Sequence, residues 1–179
     1  MGTTRLSCSQ GESRKEELAI DNLLRTARPD EYEAICTLYA ELVAVHTQAL
    51  PQFFQPSEIA VRPFSEETFH KILASQQDTI FVAEQQGLLV GFVRCYVHTT
   101  PVIHFVVQRR FVYVEDIVVS KAVQHQGVGR ALMERVQAWA RELEISEIEL
   151  DVWEFPTSAR SFYEQLGYQT TKQHMRKVL

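Results

Sequence analysis

Long apolar runs are missing from this chain: none approaches the roughly 20 residues that a membrane-crossing helix requires. The opening residues are polar and lack the apolar stretch of a secretory leader, and Leu6 stands where a myristoylation signal has Ser or Thr. No membrane association and a cytoplasmic setting are therefore expected. Cysteine is scarce, and Cys8, Cys36 and Cys95 are an odd number without C-x-x-C spacing. That excludes a disulfide framework and a cysteine-based zinc site, and no metal is expected. Positive charge is also in short supply, with 18 Lys and Arg against 23 Asp and Glu and a net charge of -5. A nucleic-acid partner, which needs a basic surface to meet phosphates, is excluded on that ground. Three motifs are absent as well: G-x-x-x-x-G-K-[ST], a completed G-x-G-x-x-G, and the nucleophile turn G-x-S-x-G. The last absence argues against an acyl-enzyme built on serine.

What remains is a globular composition, 45% hydrophobic and 23% charged over 179 residues, enough for one domain with one core. Met1 to about Ile20 is polar without periodicity and reads as a flexible tail before a domain spanning residues 21–179. Asp21 to Ala27 reads as a strand. Tyr32, Ile35, Leu38, Tyr39, Leu42 and Val43 recur at helical spacing after Pro29-Asp30, and that helix should end before Pro51. Pro51 to Pro63 reads as a loop, and a short helix should begin at Ser65. The runs Thr79–Glu84 and Leu88–Val97 flank Gln85-Gln86-Gly87, a hairpin signal, and Phe111–Val119 is a third strand. Val128, Ala131, Leu132, Val136, Trp139, Ala140 and Leu143 mark one face of a four-turn helix, so Trp139 belongs to the core. Glu147 to Trp153 alternates as a strand. Ser158 to Leu166 should form a last helix stopped by Gly167, and Tyr168 to Val178 a final strand. The order describes an α/β (α+β) fold, a mixed sheet with helices packed on it.

Between the third strand and the four-turn helix lies Gln124-His125-Gln126-Gly127-Val128-Gly129. A helix N-terminus exposes unpaired N–H groups, and glycines let an anion come close to them. Glycines before a helix equally serve as plain tight turns, so this feature alone does not settle the matter. Downstream stands Ser158-Ala159-Arg160-Ser161-Phe162-Tyr163-Glu164-Gln165-Leu166-Gly167-Tyr168. The pair, Gln-x-x-Gly-x-Gly after a strand and A-x-x-F-Y-x-x-x-G-[FY] at this distance behind it, resembles the motifs of the GNAT family of N-acetyltransferases.

That resemblance implies a largely antiparallel sheet flanked by helices, in which two central strands splay to hold acetyl-CoA. Carried over, Ile117, Val118 and Val119 would contact the pantetheine arm, and the turn with Gln124, His125, Gln126, Gly127, Val128, Gly129 and Arg130 would hold pyrophosphate. Ala159 and Phe162 would complete the cofactor site. Two departures stand out. His125 replaces a glycine, harmless if the residue is not left-handed, and Pro156 stands where many members have an asparagine. A homodimer is the assembly the resemblance suggests.

A protonated amine must lose a proton before it attacks a thioester, so a base is needed nearby. Strict alternation along Val112-Tyr113-Val114-Glu115-Asp116-Ile117 puts Tyr113, Glu115, Ile117 and Val119 on one face and Asp116 on the other. That stretch is similar to one in polyamine acetyltransferases, which implies Glu115 as the base, whereas taken by itself an acidic pair on a strand is usually a solvated surface. Tyr163 matches the family's general acid, and otherwise packs beside Phe162 on an amphipathic helix. His46, Phe54 and Tyr113 are candidates for the acceptor pocket; Cys36 and Cys95 are packing residues. The expectation is an acetyl-CoA-dependent N-acetyltransferase acting on a small cationic amine of polyamine or aminoglycoside type. Protein or peptide acceptors, and a non-catalytic acetyl-CoA sensor, stay open.

Overall fold

The computed structural model describes residues 24–56, 61–155 and 159–178. The expected N-terminal tail, the start of the expected first strand, Pro156 and Ser158 lie outside the described residues. Strand β1 (Leu24–Thr26) leads through a turn of 3-10 helix, Pro29–Glu31, into α1 (Tyr32–Ala49). Glu31 anchors this entry. Its carboxylate is buried yet accepts from Arg25 and from the Arg28 N–H at 2.6 Å. Burial acts to raise its pKa, but the two arginines outweigh that and hold the group below the usual carboxylate range. Helix α2 (Glu66–Leu73) starts where the sequence indicates: Ser65 Oγ accepts from the Thr68 N–H at 3.2 Å.

The hairpin of β2 (Asp78–Gln85) and β3 (Leu88–Thr99) turns on Gln86 and Gly87, both left-handed at φ 52° and 79°, the geometry whose twist matches the strands it joins. Strand β4 (Arg110–Val119), helix α3 (Val128–Glu142), strand β5 (Ile148–Leu150) and helix α4 (Arg160–Gln165) complete the order. The sheet runs β1-β2-β3-β4-β5, antiparallel except for the parallel β4–β5 pair, so the expected mixed, largely antiparallel sheet is present. One face carries α3 and α4 over Phe81, Val93, Cys95 and Val112, with Leu132 of α3 buried among them. The other carries α1 and α2 over Ile80, Val82, Phe92 and Val118. Fully buried Leu132, Phe81 and Phe92 each contribute about 2 kcal/mol by leaving water. Trp139 packs edge-on against Phe81, and Cys36 and Cys95 are buried packing residues as expected.

Two expectations fail. No strand forms over Tyr168 to Val178. Gln169 to His174 contains no apolar side chain, so a strand there would have nothing to bury, and residues 169–178 are exposed. Strand β5 stops at Leu150 instead of running to Trp153, because β4 bends away from it. Arg94 pairs with Asp116 and Cys95 with Val114, which makes Glu115 an extra residue on β4, a β-bulge. The parallel ladder with β5 accordingly covers only Val112 to Val114. Beyond that point the two strands part.

The end of β4 is held against β3 by a close approach at Gly91, where a Cβ would stand 2.8 Å from Val118 O and 3.3 Å from Leu132 Cδ1. Gly91→Ala should therefore destabilise the protein by about 2 kcal/mol, read as a lowered midpoint in chemical denaturation. An unchanged midpoint would mean that the two strands separate freely there.

Candidate active site

The bulge changes which side chains of β4 share a face. Val112 and Val114 lie on the α3 side, as do Ile117 and Val119, while Val118 packs on the α1 side. Tyr113 lies opposite Tyr96 of β3, with ring centroids 5.5 Å apart, and Asp116 lies opposite Arg94. Strict alternation through 115 thus fails at the bulge. Tyr113 and Glu115 do not share a face with Ile117 and Val119, and Asp116 shares the side of Glu115 instead of standing opposite it. Two successive carboxylates instead face α1, since the extra residue lets the chain place neighbours on one side.

Around them stand three tyrosines. Tyr39 of α1 has its phenol pushed up by burial, then by the charges of Asp116 and Glu115. Tyr96 is pushed up by burial and by Glu115 beside it. Tyr113 is raised by burial and by donating its O–H to Asp151 Oδ2 at 3.0 Å. Asp116 is raised to about 6, first by burial and next by the Glu115 charge, against the pull of Arg94. Arg94 is shared, since its Nη2 donates to Asp78 Oδ2 at 3.4 Å and its guanidinium lies 5.3 Å from the centre of the Phe64 ring. Among the described residues, its Nε and Asp78 Oδ1 are buried without partners. Asp116, Tyr39 and Tyr96 are members of this cluster that sequence reasoning missed; only the bulge, invisible in residue alternation, brings them to Glu115.

Four of the expected cofactor residues, Ile117, Val118, Val119 and Gln124, line one groove at the end of the same strand. The groove, of about 140 Å³, is also lined by Glu41, Leu42, Val45 and Lys121, which the sequence did not single out. Glu41 Oε1 accepts from Ser120 Oγ at 3.1 Å and Oε2 from the Lys121 N–H at 3.0 Å, tying α1 to the strand end. Gln124 Nε2 donates to Val119 O at 3.0 Å. Gly127 is left-handed at φ 88° and caps α3 without a side chain, so the N–H groups of the first helical turn, including those of Val128, Gly129 and Arg130, are left for another partner. A Cβ on Gly129 would meet Phe162 at 3.4 Å, which places Phe162 over the turn.

His125 is left-handed too, at φ 63°, so the condition under which it would be harmless is not met. A side chain in that conformation costs roughly 1 kcal/mol. Gln126 and Arg130 are exposed, as is Ala159, whose carbonyl accepts from the Tyr163 N–H at 3.1 Å.

Tyr163 lies on the opposite side of the sheet from Glu115. It is buried in the α3-side core between the rings of Phe162 and Tyr168, and burial pushes its phenol up. Gly167 behind it is left-handed at φ 88°, as the sequence indicates. His46 holds Nδ1 3.1 Å from Leu42 O within α1, while its ring stacks 5.3 Å from Phe54. Burial lowers its pKa. Trp153 packs beside Phe53 and Phe54. Among the described residues no three His, Cys, Asp or Glu side chains are placed to hold a metal ion, and no helix is long and apolar enough to cross a membrane.

With this geometry in place, comparison with known proteins adds three findings. The acetyltransferase (GNAT) family matches residues 40–168. No curated protein sequence matches the chain. Among solved structures, the tetramutant of the BH1408 protein from Bacillus halodurans superimposes with a TM-score of 0.78 at 24% identity, over 87% of this chain and 99% of that one. The aminoglycoside N-acetyltransferase AAC(6')-Iy, in complex with CoA, gives 0.64 at 17% identity, over 87% and 98%. Glucosamine-6-phosphate N-acetyltransferase from Arabidopsis thaliana gives 0.64 at 14%, over 87% and 96%. These likenesses show a shared fold.

The raised carboxyl of Asp116 has a consequence for stability. Its folded pKa of about 6 exceeds the ordinary value near ~3.9, so the folded chain takes up a proton on acidification that the unfolded chain does not. That group therefore destabilises the fold above pH ~6, and the penalty fades as pH falls toward ~4. Asp116→Asn should stabilise the protein by the order of 1–2 kcal/mol at pH 8 and by almost nothing at pH 4, measured by urea denaturation at each pH. A gain independent of pH would contradict this origin.

Proposed function

Because the chain belongs to the GNAT acetyltransferase family, we propose that it transfers the acetyl group of acetyl-CoA to a primary amine by direct attack, and that the acceptor is a small cationic amine. The observation that carries this reading is the Glu115–Asp116 bulge, which sets two carboxylates on one face where β4 parts from β5, next to the groove lined by Ile117, Val118 and Val119. The residues present suit acetyl-CoA. The glycine-capped start of α3 offers free N–H groups to a pyrophosphate, and β4 beyond the bulge has backbone to pair with a pantetheine arm. That AAC(6')-Iy is seen in complex with CoA supports the same assignment.

An amine with an ordinary pKa near ~10.4 arrives protonated at neutral pH. Its charge is attracted by Glu115 and Asp116, and Glu115, the exposed member of the pair, takes the proton directly or through water. The nitrogen then bonds to the thioester carbon. A backbone N–H near Val118 stabilises the developing oxyanion while the carbon–sulfur bond breaks. The departing sulfur receives a proton from Tyr163, and the second proton, which the acylated nitrogen sheds on becoming an amide, returns through water to restore the phenol. That phenol stays protonated because burial disfavours its charged form, and it approaches from the α3 side while the base works from the α1 side. The parting of β4 from β5 is the passage between them. His46, Phe54 and Tyr113 line the acceptor end.

The names of two structural neighbours, an aminoglycoside N-acetyltransferase and a glucosamine-6-phosphate N-acetyltransferase, support an amino group as acceptor. The direct test is release of free CoA from acetyl-CoA with a panel of amines. Turnover with small cationic amines supports the reading, whereas binding of acetyl-CoA without release for any amine or peptide would leave a sensor module. Glu115→Gln should lower kcat about a hundredfold and Tyr163→Phe at least tenfold, each with the KM for acetyl-CoA unchanged. Rates equal to those of the parent protein would remove these residues from the mechanism.

A further inference from the structure

Soluble proteins seldom leave several large aromatic rings together at the surface without a use for them. Phe53 is 47% exposed and Trp153 is 45% exposed, yet they come from segments about a hundred residues apart in sequence and meet at a tilt with centroids 5.0 Å apart. Phe54 meets Trp153 edge-on at 5.3 Å and passes the contact to His46, which in turn stands 6.0 Å from Phe155. The rings are thus held by their own contacts, and one face of Phe53 is already covered by a cation. The guanidinium of Arg176, from the exposed strand-free end of the chain, lies 5.0 Å from the centre of that ring.

The cluster adjoins the acidic site. Trp153 follows Asp151 by two residues, roughly 7 Å of extended chain, and Asp151 accepts from Tyr113, which adjoins Tyr96 beside Glu115. An aromatic surface that accepts a positive charge therefore lies within a few residues' reach of a carboxylate pair that attracts another.

We propose that Phe53, Phe54 and Trp153 form a second cation subsite, which holds the non-reacting positive end of an acceptor carrying two positive groups, and that Arg176 fills this subsite until the acceptor displaces it. The assignment of the reacting end rests on the acetyltransferase reading above; the cation subsite itself does not. The acceptor class is narrowed from a cationic amine to a dication with one primary amine at Glu115 and a second organic cation on the rings. Cation–aromatic attraction is strongest for weakly hydrated alkylammonium and guanidinium groups at tryptophan, which matches the side chain found there.

The test uses the full chain. Putrescine and cadaverine are compared as acceptors with butylamine and pentylamine, and tetramethylammonium, which has no N–H to acetylate, is titrated while tryptophan emission is followed. Trp153→Leu is expected to raise the KM for the two diamines about fivefold, with kcat and the monoamine KM values unchanged, and to abolish tetramethylammonium binding as read by calorimetry, since this variant lacks the fluorescent reporter. Arg176→Gln is expected to lower the diamine KM two- to threefold, since the internal competitor is gone. Both positions are exposed, and Phe53→Leu, expected to act as Trp153→Leu does, guards against a local distortion at one ring. Equal effects of Trp153→Leu on diamines and monoamines, or no gain from Arg176→Gln, would overturn the proposal and leave the rings as packing for the chain end. Tetramethylammonium binding that needs Trp153 in a protein that acetylates no amine would keep the subsite and discard the acetyltransferase reading. Acetylation of diamines and monoamines alike, indifferent to Trp153, would do the reverse.

Discussion

An antiparallel ladder forces side chains to alternate between faces, and β4 departs from that rule at Glu115. The departure has three results. It turns Glu115 and Asp116 to the same side, where the ordinary pleat would separate them. It bends the strand, so that β5 pairs with it only as far as Val114. And it leaves Ile117, Val118 and Val119 lining a groove with α1 in place of a sixth strand or a continued β5. The acidic cluster and the groove are therefore two outcomes of one additional residue.

The environment of those carboxylates runs against stability. Asp78 and Asp116 are served by Arg94, whose hydrogen bond to Asp78 leaves Nε buried without a partner among the described residues. Buried charge that is incompletely paired costs free energy, and a protein retains it where the charge is used. The three phenols nearby, each raised by burial and by the charge of Glu115, bring no positive charge to offset it. An arriving organic cation would supply what the fold leaves out.

Much of this architecture was legible in the residues. Helical spacing located α1 and α3, Ser65 and Gly167 marked helix ends, and Gln86-Gly87 marked the tight turn of the β2–β3 hairpin. What failed has specific causes. Residue alternation presumes an unbroken pleat, so the bulge leaves Tyr113 and Glu115 on the face opposite Ile117 and Val119, where period two would have joined them. Apolar alternation in Ile148, Leu150 and Val152 suggested a long strand, but strand length is set by the partner, which bends away. Tyr168 to Val178 lacks apolar residues at its centre and finds no ladder. His125 in the left-handed region was set by the geometry of the turn, which overrides its own preference. The aromatic cluster joins residues 53, 54 and 153, a proximity that only the closed fold supplies.

The parting of β4 from β5 also bears on how the protein behaves in the test tube. Beyond Val114 each strand presents backbone donors and acceptors with no neighbour across the gap among the described residues, and such edges recruit strands from other molecules. If a pantetheine arm lies along β4, it also shields that edge from intermolecular pairing. A ligand lying along that edge would then raise colloidal stability, and the tendency to associate would measure how long the edge stays bare.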